Sequence, residues 1–197
     1  MPPQPPKKYN IIYADPPWDG LGWNNGSGKK APANHYTVQS IEWIKSLNIS
    51  NITGEFCFLF LWVTFPNLQE GLDVIHAWGF KYATCGFTWI KENKKPPKTI
   101  FDNPTFMGCG NYTRANSELC LLGTKGKCQT KVKDKSVRQV CISPIQRHSR
   151  KPDEIRNRIL RLCGDLPRIE LFARNQTPGW DSWGNEVKNS INLTTRK

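Results

Sequence analysis

The chain has 197 residues, 38% of them hydrophobic, which suits one α/β domain with a core of its own. Its formal net charge is +12, from 28 basic and 16 acidic residues, and no apolar run approaches the ~20 residues of a membrane span. The seven cysteines show neither CxxC nor Cys/His spacing, and the N-terminus carries no signal-peptide pattern, which argues against a disulfide framework or a metal centre and for an intracellular protein with reduced thiols.

Residues 1–8, with four prolines among the first six, read as an extended, poorly ordered lead-in. Tyr9 to Ile12 is a short apolar run of strand type. It leads into Tyr13-Ala14-Asp15-Pro16-Pro17-Trp18, and a strand must stop there, because two prolines cannot continue a ladder. The carbonyls around Asp15, Pro16 and Pro17 are then left facing whatever lies beyond the strand tip. The corner so formed is rigid and rich in acceptors, with one carboxylate and one flat apolar face. A planar amine on an aromatic ring fits it: its N–H groups donate to Asp15 and a carbonyl, and its ring stacks on Trp18. In open α/β sheets such strand tips are where ligands bind. Asp19 to Lys30 is a glycine-rich loop, either a connector or a gate beside the corner.

Ser40–Leu47 has helical spacing, Phe56–Val63 reads as a central strand, and Pro66–Trp78 reads as a helix closed by Gly79. Trp62 suits either the core or the site. Phe80–Lys91 is a strand with aromatics on both sides, Leu119–Gly123 another, and Val140–Ile142 a short third. Pro152 opens the clearest helix, with Asp153 and Glu154 in its first turn, an Ile155, Ile159, Leu162 stripe and Gly164 at its end. Leu166–Phe172 is the last strand, and residues 188–197 form a polar tail. The charge is uneven. Residues 1–90 balance, whereas 91–151 hold fourteen basic and four acidic residues. Two loops carry most of the excess: about 92–112, with Lys94, Lys95 and Lys98 beside Phe101 and Phe106, and about 125–138, with Lys131, Lys133 and Lys135. Basic residues interleaved with aromatics suit a nucleic-acid partner, and a solvated surface is the plainer alternative.

Six stretches resemble, in order, the motifs of the adenine-N(6) methyltransferase family that includes the catalytic subunit of the mRNA adenosine methyltransferase and small bacterial and viral members. They are Asp15-Pro16-Pro17-Trp18, Phe58 to Thr64, Leu121 to Gly126, Ser149 to Glu154, Ile169 to Arg174 and Gly184-Asn185-Glu186. The resemblance covers residues 9–187. It implies a single Rossmann-like class I methyltransferase domain, a mostly parallel sheet flanked by helices, with a permuted motif order that puts the catalytic strand first. It further implies S-adenosylmethionine as methyl donor and no metal. Asp15, Pro16, Pro17 and Trp18 become the catalytic element, and Tyr36 with Trp18 the target-base pocket. Asp15, Lys125, Glu170, Phe172, Arg174, Asn175, Gln176 and Asn185 become the cofactor site. Small size and an intact motif point to DNA as the substrate, ahead of RNA or a silent nucleic-acid-binding subunit. The family's habits also suggest a homodimer, or a heteromer with a related subunit.

Overall fold

Strands form where apolar residues run without interruption. β1 (Tyr9–Ala14) and β2 (Thr53–Val63) are buried over almost their whole length, as central parallel strands are. They pair in parallel, with Ile12 opposite Leu59 and Ala14 opposite Leu61. The computed structural model describes residues 7–18, 39–96, 98–99, 103–110, 112–146 and 150–196. The other strands are β3 (Lys81–Glu92), β4 (Ser117–Lys125), β5 (Val140–Pro144), β6 (Arg168–Leu171) and β7 (Asp181–Trp183). Among the described residues these seven form one sheet in the order β5-β3-β4-β2-β1-β6-β7. Four of the six pairings are parallel, so the mostly parallel sheet expected from the sequence is present. β4 is the exception, antiparallel to both β2 and β3.

That reversal decides which residues share an end of the sheet. Every strand except β4 finishes at the end where Asp15 follows β1. β4 starts there, with Leu119 opposite Val63, and finishes at the other end, with Lys125 opposite Cys57.

The strands' alternation builds a core on each face. Ile12, Ala14, Leu59, Leu61 and Val63 point to one side, against Ile44 of α1 (Ile41–Ser46) and Val74 and Ile75 of α2 (Leu68–Ala77). Ile11, Tyr13, Phe58, Phe60 and Trp62 point to the other, against Ile155, Ile159 and Cys163 of α3 (Glu154–Cys163). Each fully buried Leu, Ile or Phe contributes roughly 1.5–3 kcal/mol. Ser40 caps α1 by accepting from the Trp43 N–H at 3.1 Å. Gly164 ends α3 at φ +85°, a conformation that favours glycine. The helix expected from Pro66 begins as a 3-10 turn (Phe65–Asn67) before α2, because the proline cannot donate into a preceding turn. β7, with no run of its own to mark it, was not anticipated. The stretch 188–196 folds back on α1: Ile191 and Leu193 pack on the first core, and the Arg196 N–H donates to the Ser46 carbonyl at 2.7 Å. Among the described residues no helix is long and apolar enough to cross a membrane.

Candidate active site

Past Ala14 the chain turns at once. The Trp18 N–H donates to the Pro16 carbonyl at 2.9 Å, and the Gln39 N–H to the Pro17 carbonyl at 3.1 Å. Each carbonyl keeps a second lone pair, so the corner remains an acceptor. Trp18 itself is only 8% exposed and packs in the first core. Its indole N–H donates to the Trp62 carbonyl at 3.0 Å, and Trp62 donates from its own ring to the Tyr13 hydroxyl at 2.7 Å. The indole expected to stand open for stacking is therefore a bolt that ties the corner to β2. Trp62 is fully buried beneath the site.

Asp15 keeps 29% of its side chain exposed, and Lys151 donates to its Oδ2 at 2.8 Å. Lys151 is reached from the other end of the chain. It lies just before α3, with its ammonium 5.6 Å from the Trp62 ring centroid. Lys151 also pairs with Glu118 Oε2 at 3.2 Å, and Lys91 holds Glu118 Oε1 at 2.5 Å. Two carboxylates and two ammonium groups thus alternate from the end of β3, across the start of β4, to the tip of β1. Burial works against the charge on Lys151, yet Asp15 and Glu118 outweigh it and raise its pKa above the ordinary lysine value. Burial likewise opposes the charge on Glu118, and Lys151 and Lys91 overcome it and lower its pKa. Sequence reading placed Lys91 among the basic residues suited to nucleic acid and Lys151 within a family motif, but gave neither of them, nor Glu118, a role at Asp15. A lysine directly before a helix-opening proline, and a glutamate at the head of an apolar strand, were the available signals.

The tips of β6 and β7 lie next to β1, with Ala14 opposite Leu171 and Leu171 opposite Trp183. Phe172 takes φ 60°, uncommon for a residue with a side chain, and so breaks the strand. Its ring meets Trp183 at 5.5 Å and Trp43 at 6.4 Å, an aromatic wall on the α1 side. Arg174, Asn175, Gln176 and Asn185 follow at the same end. Asn175 and Asn185 are exposed, Arg174 sits 3.9 Å from Glu186, and Gln176 donates to the Lys188 carbonyl at 3.3 Å. Glu170 points to the α3 face instead, where Arg156 binds both its oxygens at 2.9 and 2.7 Å.

Lys125 is not brought to these residues. It ends the reversed strand, beside Thr53 and Cys57, eight residues or ~26 Å from Ser117 at the head of β4. The two basic loops also part. Lys94, Lys95 and Lys98 follow β3 at the Asp15 end and are exposed. Lys131, Lys133 and Lys135 lie at the other end: Lys131 covers the Phe56 ring at 5.2 Å, and the Lys133 N–H donates to Leu162 at 2.7 Å. Tyr36 and the glycine-rich loop lie outside the described residues. No cluster of metal-ligand type occurs among the described residues.

Comparison with known proteins bears on this geometry. The MT-A70 family model matches residues 9–186. The type II methyltransferase M.MunI of Mycoplasma sp is 33% identical over 212 residues, covering 100% of this chain and 85% of that protein. The N(6)-adenosine-methyltransferase catalytic subunit METTL3 of Homo sapiens is 30% identical over 182 residues, which is 91% of this chain and 28% of that protein. A putative N(6)-adenosine-methyltransferase of Medicago truncatula is 30% identical over 182 residues, 91% of this chain and 26% of its own length.

Proposed function

The chain belongs to the MT-A70 family of S-adenosylmethionine-dependent adenine-N(6) methyltransferases, and we propose that it methylates the 6-amino nitrogen of adenine in DNA. The observation that carries the choice of DNA is the match along the whole chain to a type II methyltransferase, of which it covers 85%, whereas it covers 28% of an adenosine methyltransferase.

Donor chemistry at the β6 and β7 tips fits the cofactor. A guanidinium (Arg174) and carboxamides (Asn175, Gln176, Asn185) suit ribose hydroxyls and adenine edges, and Phe172 offers a flat wall. Glu170 is spent on Arg156 at the α3 face, and Lys125 lies too far away to take part. Bound there, S-adenosylmethionine supplies a methyl group already activated on a sulfonium. What remains for the protein is orientation and charge placement.

Lys151 occupies Asp15 Oδ2 and so presents Oδ1 to one N–H of the adenine amine. The second lone pair of the Pro16 carbonyl takes the other N–H. Held at both hydrogens, the amine directs its lone pair at the methyl carbon. As the N–C bond would form and the sulfonium S–C bond break, with S-adenosylhomocysteine as the leaving group, Asp15 would take the surplus proton from the nitrogen and pass it to solvent. Trp18 keeps the corner rigid, and Tyr36 supplies the stacking face. A paired base cannot reach this corner, so the adenine is flipped out or taken from a single strand. Lys94, Lys95 and Lys98 grip the backbone nearby.

The test is transfer of tritiated methyl to matched DNA and RNA oligonucleotides, followed by nucleoside analysis. Label in N(6)-methyl-2′-deoxyadenosine is expected. Label confined to RNA would overturn the choice of DNA, and a protein that binds cofactor and nucleic acid without transferring label would be a silent subunit.

A further inference from the structure

We infer that Lys91 is a positioning residue for Asp15, acting through Glu118 and Lys151 and fastened to the root of the 92–116 loop. This rests on the reading of Asp15 as the acid that receives the adenine amine.

Lys91 closes the chain of alternating charges at the end farthest from Asp15. Its ammonium lies on Glu118 Oε1 at 2.5 Å, and both side chains are largely buried, at 19% and 10% exposure. The Trp89 ring steadies the same ammonium at 5.2 Å. Lys151 is shared, at 2.8 Å from Asp15 and 3.2 Å from Glu118. While Lys91 neutralises Glu118, Lys151 rests closer to Asp15. Without Lys91, Glu118 is a buried carboxylate with one cation left, and Lys151 is drawn toward it. Removing one partner from a buried set is costly for this reason. Asp15 then loses the contact that fixes its orientation, although nothing adjacent to it has changed.

The peptide of Lys91 carries a second link. Its N–H donates to the Asn116 carbonyl at 2.8 Å, and its carbonyl accepts from the Phe106 N–H at 2.7 Å. One step on, the Asn93 N–H donates to the Pro104 carbonyl at 2.9 Å. The outgoing and returning limbs of the loop that bears Lys94, Lys95 and Lys98 both close on this residue. Lys91 therefore joins the loop that meets nucleic acid to the carboxylate that meets the base.

An ordinary structural ion pair would cost stability and leave turnover per folded molecule alone. A phosphate contact would raise KM for DNA and leave kcat alone. The positioning role lowers kcat of the folded enzyme itself. In steady-state kinetics with each substrate varied in turn against a saturating amount of the other, Lys91→Met should lower kcat by about 10- to 100-fold while KM for each substrate stays within about twofold, the size expected of a displaced catalytic group. Lys91→Arg, which keeps the charge, should restore most of it. A double-mutant cycle with Glu118→Gln gives the decisive reading. Lys91→Met should have almost no further effect on kcat when Glu118 is already neutral, and the pair should fold even where Lys91→Met alone does not. Independent, multiplying losses, or a rise in KM at constant kcat, would overturn the proposal. Asp15→Ala serves as the control. If it stays active, the reading of Asp15 has failed; if it is dead and the cycle is multiplicative, only the role of Lys91 has.

Discussion

The two basic loops can be separated by salt. Each phosphate that a lysine neutralises on duplex DNA adds about 0.9 to the slope of log affinity against log salt concentration. Lys94, Lys95 and Lys98 stand at the strand ends that hold Asp15. Replacing all three by alanine removes up to three contacts, so the slope should fall by up to about 2.7. Between 50 and 200 mM salt, that is roughly a 40-fold difference in how much affinity is lost. Lys131, Lys133 and Lys135 sit at the opposite end, tied to Phe56 and the end of α3. A strand threaded to Asp15 does not run over them, and their triple alanine variant should change the slope by less than one contact, about 0.9. Fluorescence anisotropy of a labelled oligonucleotide, read across that salt range, supplies the three slopes. Exposed lysines add little to folding, so thermal midpoints should barely move and will show that binding alone was altered. Equal changes in the two variants, or none in the first, would refute the idea that the sheet's ends divide the labour.

Other outcomes follow from the site. Asp15→Ala should abolish methyl transfer in single turnover, with S-adenosylmethionine still binding in calorimetry. Trp18→Ala should lower stability by about 3–5 kcal/mol, a fall of at least about 6 °C in thermal midpoint, because it empties core volume and strips the Trp62 carbonyl of its donor. Arg174→Ala should weaken cofactor binding in calorimetry, whereas Lys125→Ala, at the far end of the sheet, should leave it level. Glu118 has a folded-state pKa below its ordinary 4.5, burial being outweighed by Lys151 and Lys91. Its stabilising contribution is thus present above pH 4.5 and lost as pH falls through the folded value. The gap in thermal midpoint between the parent and Glu118→Gln should narrow as pH drops below 4.5.

The elements with a strong local signal were legible from the sequence. β2 is a continuous apolar run over Phe56–Val63, and α3 has its proline, its acids, its 3.6-residue stripe and its closing glycine within thirteen residues. β7 carries no such mark: Asp181, Ser182 and Trp183 form a strand only because β6 presents an edge. The direction of β4 was equally hidden, since an apolar strand reads the same in either sense. The family resemblance placed Lys125 beside Arg174, and because β4 runs in the opposite sense Lys125 is found at the other end of the sheet. The strand-tip position of Asp15 was readable, but its partner was not, because Lys151 lies 136 residues away. Trp18 was read as a stacking face, for the sequence shows an aromatic side chain without showing which way it turns.

The reversal of β4 also bears on how such proteins diversify. A parallel β4 would need a crossover packed on one face of the sheet, and any change in its length would disturb a core. Because β4 runs back beside β3, the segment between them leaves and returns at the catalytic end, with no crossover to pack. Doubling the length of such an excursion costs only about 0.6 kcal/mol in closure entropy. Residues 92–116 can therefore be lengthened, shortened or exchanged between relatives while the strands below stay in register. A transplant that spares Lys91 and Asn116 keeps both anchoring ends of the segment.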